Sequence, residues 1–505
     1  MVYTMPIVSV AFFIGGVSKP FYGLFLFYLL TVESANFFLW KFFMMPLNGG
    51  WLSILLASSQ AECQRFLSAY RLELFGMILG AVVILVLIGF AIWKVKMPQP
   101  GWRNSLIGLL LCVPYFALNA VPERHQKVGE REKPDIGWFH KAFGHKPGWI
   151  SGLTALELPL STYRHDQTYH QSLIKGCRNP DIPEQLDTDL SIFSKPPLFV
   201  FALGESSTRN HWSLYGYPRM TTPCLDAWRP ELLVFDDVDG VCCSTSEAMH
   251  FLLTAATVEN PSHIVCTLPT ACKRAGYRCV LISVQSSWQG AGRKDEWDPL
   301  RLVLTGCDRM IFTTDGVDRE MKGVYDDSVL PHLDNVIAES ADCPTVVFLH
   351  FIGAHFPPAE FYPPSASIFE GSSKSVDEYD NATRFHDGVL GQVLARVKGS
   401  NRPSFVFYIS DHGETPDSNN WRCMSDRSLW ELPMFIWFSS EYKEKFESMV
   451  SHIKRYAQYK MQPDELFDSL LSLCRIQGVP ITTGSMENGS LKPRKNRKTN
   501  EGRAL

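Results

Sequence analysis

The sequence carries no strong net charge of either sign: 48 basic against 52 acidic residues leave a formal charge of -4. That balance removes the usual reason to expect nucleic acid as a partner. No internal repeat is visible, which excludes solenoids and propellers. None of the thirteen cysteines falls in a paired CxxC spacing, so a zinc ribbon is excluded too. The first residues lack the basic run that opens a cleaved signal peptide. Residues 485–505 have almost no apolar content, a composition that predicts disorder.

What the chain does have is segregated. Its 505 residues suit two or three domains. Apolar residues concentrate before about residue 121, and the remainder reads as an ordinary globular domain. Residues 74–93 (LFGMILGAVVILVLIGFAIW) form the cleanest membrane span, matching a bilayer core of roughly 30 Å. Residues 21–43 and 104–121 are further spans, and 5–17 is a short, marginal one. The basic loop 94–103 belongs in the cytoplasm by the positive-inside rule. Everything beyond residue 122, and the loop 47–70, then lies outside. Eleven cysteines follow residue 150, where an oxidising compartment favours disulfides over buried free thiols. The organisation expected is an anchor at 1–121, a membrane-surface connector at 122–195, a catalytic domain at 196–484 and a disordered basic tail at 485–505.

Within 196–484 the pattern turns to short apolar runs of strand length: 198–203 (LFVFAL), 279–284 (CVLISV), 345–352 (TVVFLHFI), 405–410 (FVFYIS) and 434–439 (MFIWFS). Continuous runs of this kind suit strands buried on both faces of a mainly parallel sheet. Helical stretches at 380–397 and 464–474 alternate with or follow them. The fold class predicted is α/β, with transmembrane helices ahead of a mainly parallel sheet that has helices on both faces.

Ligands of such sheets bind beyond the carboxyl ends of the strands. Run 198–203 leads into Gly204-Glu205-Ser206-Ser207, and run 405–410 leads into Asp411-His412-Gly413-Glu414. Carboxylates and an imidazole at two strand ends offer oxygen and nitrogen ligands to one divalent ion. Zinc fits such a mixed set, with manganese as the alternative. A nucleophile here needs a hydroxyl beside the metal. Ser244-Thr245-Ser246 supplies three, ahead of a helix-like stretch whose first N–H groups would suit a phosphate. The same residues also serve as ordinary helix caps.

Taken together, these segments resemble the phosphoethanolamine transferases of Gram-negative envelopes. That family belongs to the alkaline phosphatase/sulfatase superfamily and includes the mobile colistin-resistance enzymes. The resemblance rests on GESSTRNHWSLYGYPRMTTP (204–223), CSTS (243–246), His350-Phe-Ile-Gly-Ala-His355, Tyr379-Asp380-Asn381 and SDHGE (410–414). It covers about residues 196–475. It implies a sulfatase-like domain in which Glu205, Thr245, Asp411 and His412 bind zinc. Thr245 is then the nucleophile and His355 contacts the phosphoryl group or assists proton transfer. The implied donor is phosphatidylethanolamine and the implied acceptor a lipopolysaccharide or lipooligosaccharide, at an inner-core heptose or lipid A. The implied location is the inner membrane, multi-pass, with the catalytic domain of a monomer in the periplasm. Asn381 and Arg422 are candidate substrate contacts, and Glu62 a candidate for the ethanolamine ammonium. His350 is expected inside a strand, in a structural role.

Two departures from the family pattern stand out. The stretch Thr415-Pro-Asp-Ser-Asn-Asn-Trp-Arg422 lacks the histidine that members commonly carry after SDHGE. The anchor shows fewer clear spans than the usual five. A membrane-anchored phosphoglycerol transferase or other superfamily hydrolase is the alternative reading, and a non-catalytic envelope protein the second. A sulfatase proper is disfavoured, because CSTSE lacks the proline and arginine of a CxPxR context.

Overall fold

The computed structural model describes scattered positions between 27 and 70, the helix after them, and residues 171–285, 299–304, 306–314, 323–417 and 426–480. The chain divides into two units, Met1–Asp135 with Phe139–Asp166, and Ile136–Trp138 with Gln167–Leu505. In the first unit, helix α1 spans Arg71–Lys94, 24 residues long. Its apolar side chains are exposed, among them Leu72, Phe75, Ile78, Val82, Val86 and Leu87. Among the described residues no helix is long and apolar enough to cross a membrane. The described side chains of α1 end at Leu87, Phe90 apart. The other expected spans and the basic tail fall largely or wholly outside the described residues.

The second unit is built on a seven-stranded sheet. Its strands are β2 (Leu198–Gly204), β3 (Leu232–Val234), β4 (Arg278–Ser283), β5 (Arg309–Phe312), β6 (Thr345–His350), β7 (Ser404–Ser410) and β8 (Met434–Phe438). They lie in the order β3-β8-β7-β2-β6-β4-β5. A separate antiparallel pair joins β1 (Asp187–Thr188) to β9 (Ile476–Gln477). The central neighbours pair in parallel, with β7 and β6 flanking β2. At one edge β8 runs antiparallel to both β7 and β3. The sheet is therefore mixed. Run 434–439 is a fully buried strand as expected, but its direction is reversed.

Both faces of the sheet are covered, which is why the strands read as unbroken apolar runs. Phe199, Phe201 and Leu203 of β2 point into one core, packed with α2 (Thr245–Leu253), α3 (Leu268–Arg274) and α6 (Phe467–Leu473). Leu198, Val200 and Ala202 point into the other, packed with α4 (Val329–Glu339) and α5 (Lys374–Gly399). Each large apolar side chain so buried contributes about 1.5–3 kcal/mol. Helix α5 is capped by Ser373, whose side chain accepts from the Val376 N–H. At 26 residues it overruns the expected 380–397 at both ends.

None of the eleven described cysteines is in a disulfide, which corrects the expectation of disulfides. Most are buried core residues, and burial pushes the Cys177 and Cys266 thiols up to about 12. A small buried thiol packs like any other apolar group, so spacing alone does not reveal pairing.

Candidate metal centre and nucleophile

Strands β2 and β7 are adjacent and parallel, with Gly204 paired to Ser410. Their carboxyl ends therefore place Glu205 beside Asp411 and His412. One ligand atom from each of these three buried residues lies within 4.8 Å of the other two. The His412 Nε2 stands 3.5 Å from Glu205 Oε1 and 3.4 Å from Asp411 Oδ2.

The chemistry of this donor set calls for a cation. His412 Nδ1 donates to the Gly413 carbonyl at 2.7 Å, which turns the Nε2 lone pair toward the two carboxylates. Asp411 Oδ1 accepts from the backbone N–H of Ser206 at 2.9 Å and of His412 at 2.6 Å. Its Oδ2 is buried with no hydrogen-bond partner. Burial pushes the Asp411 carboxyl up, opposed by the N–H groups of Ser206 and His412. Two buried carboxylates and an imidazole lone pair repel one another unless a divalent ion sits among them. The residues present fit a zinc ion, or another ion that accepts mixed oxygen and nitrogen ligands.

Thr245 completes the arrangement. It is the first residue of α2, and its Oγ1 donates to Glu205 Oε2 at 2.8 Å. The preceding Ser244 has extended backbone and makes no side-chain cap bond. The first intrahelical bond runs from Ala248 N–H to the Ser244 carbonyl. A hydroxyl beside the metal ligands and a helix N-terminus thus face the same point, as anion binding requires. The helix begins at the nucleophile itself and ends at Leu253, whereas the helix-like stretch in the sequence runs from Met249 to Thr257.

The surrounding loops are tightly built. Ser206 holds a left-handed φ of 53° while its Oγ donates to Glu205 Oε1 at 2.8 Å. Such backbone strain is stored where neighbouring bonds over-determine the conformation. Tyr379 of α5 secures the same turn, its hydroxyl donating to the Ser206 carbonyl and accepting from the Thr208 N–H. Gly413 has no room for a Cβ, which would meet the Ser428 carbonyl.

The remaining expected site residues are placed as follows. His350 closes β6, buried, with Nδ1 bonded to Ser283 Oγ at 3.0 Å, and burial lowers its imidazole to about 4. His355 lies on the following loop, half-buried, where Nδ1 donates to the Phe356 carbonyl at 2.8 Å. It does not belong to the three-ligand cluster. Asn381 is buried and spends its amide on residues 367–369, accepting from the Ile368 and Phe369 N–H groups and donating to the Phe369 carbonyl. That engagement ties α5 to the segment before it. Glu62 and Arg422 lie outside the described residues.

Two contributors escaped the sequence reading. Gln285 Nε2 donates to Glu205 Oε2 at 3.1 Å and to the Phe351 carbonyl at 3.0 Å. It follows β4 directly, so the strand-end rule would have found it. His211 follows the Glu205 turn, between Asp380 (2.7 Å from Nδ1) and Asp417 (3.0 Å from Nε2). It ties the segment after His412 to α5, though no local pattern announces it.

Comparison with known proteins adds the family. The sulfatase family model matches residues 197–476. Phosphoethanolamine transferase EptC of Escherichia coli (strain K12) is 25% identical over 422 residues, covering 78% of this chain and 69% of that protein. Phosphoethanolamine transferase EptA of Helicobacter pylori (strain ATCC 700392 / 26695) is 23% identical, covering 82% and 75% respectively. Among solved structures, the zinc complex of the C-terminal periplasmic domain of EptC from Escherichia coli superimposes with a TM-score of 0.53 at 23% identity. It covers 62% of this chain and 96% of that one. The integral membrane lipooligosaccharide phosphoethanolamine transferase A from Neisseria meningitidis gives 0.65 at 18% identity, covering 95% and 87%. At these identities the structures speak for the fold. The relatives bear out the resemblance read from the motifs.

Proposed function

The chain belongs to the sulfatase family, and on that premise we propose that it is a membrane-anchored phosphoethanolamine transferase. It takes the group from phosphatidylethanolamine and passes it to a lipopolysaccharide or lipooligosaccharide acceptor, an inner-core heptose or lipid A. The relatives named as phosphoethanolamine transferases support this reading, and so does the Kdo(2)-lipid A phosphoethanolamine 7''-transferase of Salmonella typhimurium, 24% identical over 75% of this chain. The observation that carries it is the Thr245 hydroxyl, 2.8 Å from Glu205 at a helix N-terminus.

Glu205, Asp411 and His412, with Thr245 Oγ1, would hold the metal, and the zinc complex of the Escherichia coli domain supports zinc over manganese. Bound there, the ion would lower the hydroxyl pKa and offset charge on the phosphoryl oxygens. In the first step Thr245 Oγ1 attacks phosphorus, the bond to the diacylglycerol oxygen breaks, and the hydroxyl proton passes to Glu205 Oε2. Diacylglycerol takes up a proton as it leaves. His355, as the imidazolium with Nδ1–H fixed on the Phe356 carbonyl, delivers it from Nε2 and takes the acceptor hydroxyl's proton in the second step. An acceptor oxygen then attacks phosphorus, the bond to Thr245 breaks, and the hydroxyl is restored. Phosphoethanolamine is carried between the two steps on the threonine.

The anchor reading rests on α1. Leu74, Met77, Ala81 and Leu85 form one half-buried stripe, and the apolar side chains exposed over the rest of the helix are at home in lipid rather than water. With 1–121 as anchor, the unit bearing Thr245 would face the periplasm of a monomeric inner-membrane enzyme.

The test uses full-length protein in detergent and phosphatidylethanolamine with a fluorescent acyl chain. Wild type releases diacylglycerol, chelation stops it, and Thr245→Ala reduces it at least about 10³-fold. Release from phosphatidylglycerol alone would instead identify a phosphoglycerol transferase. Release by Thr245→Ala at the wild-type rate would remove the threonine from the mechanism.

A further inference from the structure

Behind the metal cluster lies a second pair of ionisable groups that the transfer steps do not use. Asp326 and His386 are both buried, with His386 Nδ1 2.7 Å from Asp326 Oδ2. Asp326 opens the turn before α4, and His386 sits near the middle of α5. The same carboxylate accepts two consecutive backbone N–H groups. Ile352 donates to Oδ1 at 2.8 Å and Gly353 to Oδ2 at 3.1 Å. The donors that Asp326 faces therefore come from one dipeptide, Ile352–Gly353, and one imidazole. The His386 ring is fixed in turn by edge contact with Phe351, at 4.9 Å between centroids, and by Tyr408 at 5.8 Å.

That peptide is the one pressed against the metal ligands. Gly353 has a φ of 52°, and a Cβ on it would collide with the Glu205 carbonyl oxygen. Phe351 N–H donates to the Leu203 carbonyl at 3.0 Å, and the Phe351 carbonyl receives Gln285 Nε2, which also holds Glu205 Oε2. The same loop ends in His355, whose N–H turns back to the Ile352 carbonyl at 3.1 Å. Three links to Glu205 and the proton-delivering histidine thus hang on two peptide units, and Asp326 sets where those units lie.

We propose that Asp326, held by His386, is a positioning residue that sets the geometry of Glu205 and His355 through the Ile352–Gly353 peptide. A charged acceptor suits this task, because charge-assisted bonds to N–H groups are shorter and stronger than neutral ones. Partners at this remove from a metal tune affinity and rate by about 10- to 100-fold when lost. The proposal rests on the transferase reading for its kinetic arm only, since the metal arm needs no substrate.

The experiment compares wild type with Asp326→Asn, His386→Leu and His386→Asn. Zinc affinity is measured by competition with a chromophoric chelator, and lipid cleavage is resolved into kcat and KM. Asp326→Asn is expected to weaken zinc and lower kcat by about 10- to 100-fold each, with KM within about twofold of wild type. His386→Leu is expected to do the same to a smaller extent. His386→Asn, whose amide can donate to the same oxygen, recovers most of that loss. Wild-type zinc affinity and kcat in folded Asp326→Asn would overturn the proposal. So would equal losses in His386→Leu and His386→Asn, which keep the fold by circular dichroism. If wild type cleaves no lipid, the transferase reading fails while the zinc measurements still decide this one.

Discussion

The two ends of the central sheet solve opposite problems. At the amino ends of β2, β6 and β7 the buried charge is Arg402, and each of its three nitrogens donates. Nε bonds the Pro196 carbonyl, Nη1 the Ser340 hydroxyl, and Nη2 the carbonyls of Pro197 and Cys343, all between 2.8 and 3.1 Å. At the carboxyl ends, Asp411 Oδ2 and His350 Nε2 are buried without hydrogen-bond partners. One end closes the polypeptide on itself. The other keeps polar capacity in reserve, and the nucleophile stands there. Buried polar groups are normally satisfied, so an unpartnered carboxylate oxygen beside the nucleophile marks a place for something that is not protein.

Asp411→Asn breaks the contrast most severely. It removes a ligand and lowers lipid cleavage by at least about 10³-fold. In metal-free protein it is expected to raise stability by about 1–2 kcal/mol, because it relieves carboxylate crowding. Urea unfolding in chelator checks this, and a variant less stable than metal-free wild type would show that the cluster is not under electrostatic stress. Arg402→Met tests the other end. It strips donors from three carbonyls and a hydroxyl, and should cost about 2–4 kcal/mol with kcat per folded molecule unchanged. A fall in kcat would mean that the two ends are coupled.

The mildest test is pH. Burial holds the His350 imidazole at about 4 in the folded protein, below its ordinary 6.5. The unfolded chain therefore binds this proton first. The stability that His350 contributes is complete above pH 6.5 and drains away as pH falls toward 4. Between pH 7 and pH 5, wild type should lose about 2 kcal/mol more than His350→Gln in parallel urea titrations. Equal slopes would place His350 in water rather than in the core.

Much of this architecture was legible in the sequence, and the reasons are local. Runs such as 198–203 and 405–410 announced themselves because both faces of their strands are buried, and their next residues carry the ligands. Strands β3 and β5, of three and four residues, are too short to stand out from loops. The direction of β8 was not legible, because burial on both faces looks the same in either sense. The bonds of Asn381 to 367–369 were not legible either, because the YDN segment shares a helix with a residue that reaches the Glu205 turn. Asp326 was illegible for a different reason. Its partners are 26, 27 and 60 residues away in the chain, and nothing local marks a carboxylate that serves distant peptides.

Helix α5 carries a consequence for how this protein can vary. Tyr379 holds the turn at Ser206, and Asp380 reaches His211, Tyr217 and Arg219. Asn381 holds 367–369, His386 grips Asp326, and Asp387 accepts the N–H groups of Cys224 and Leu225. Five side chains on one rod moor three stretches of chain, 206–225, the turn at Asp326 and 367–369. Loops between the moorings are free to lengthen or shorten one at a time. A single residue inserted between Tyr379 and Asp387 would turn one half of the rod by about 100° against the other. The moorings on one side would be released together, so this helix counts its residues more strictly than any loop it serves.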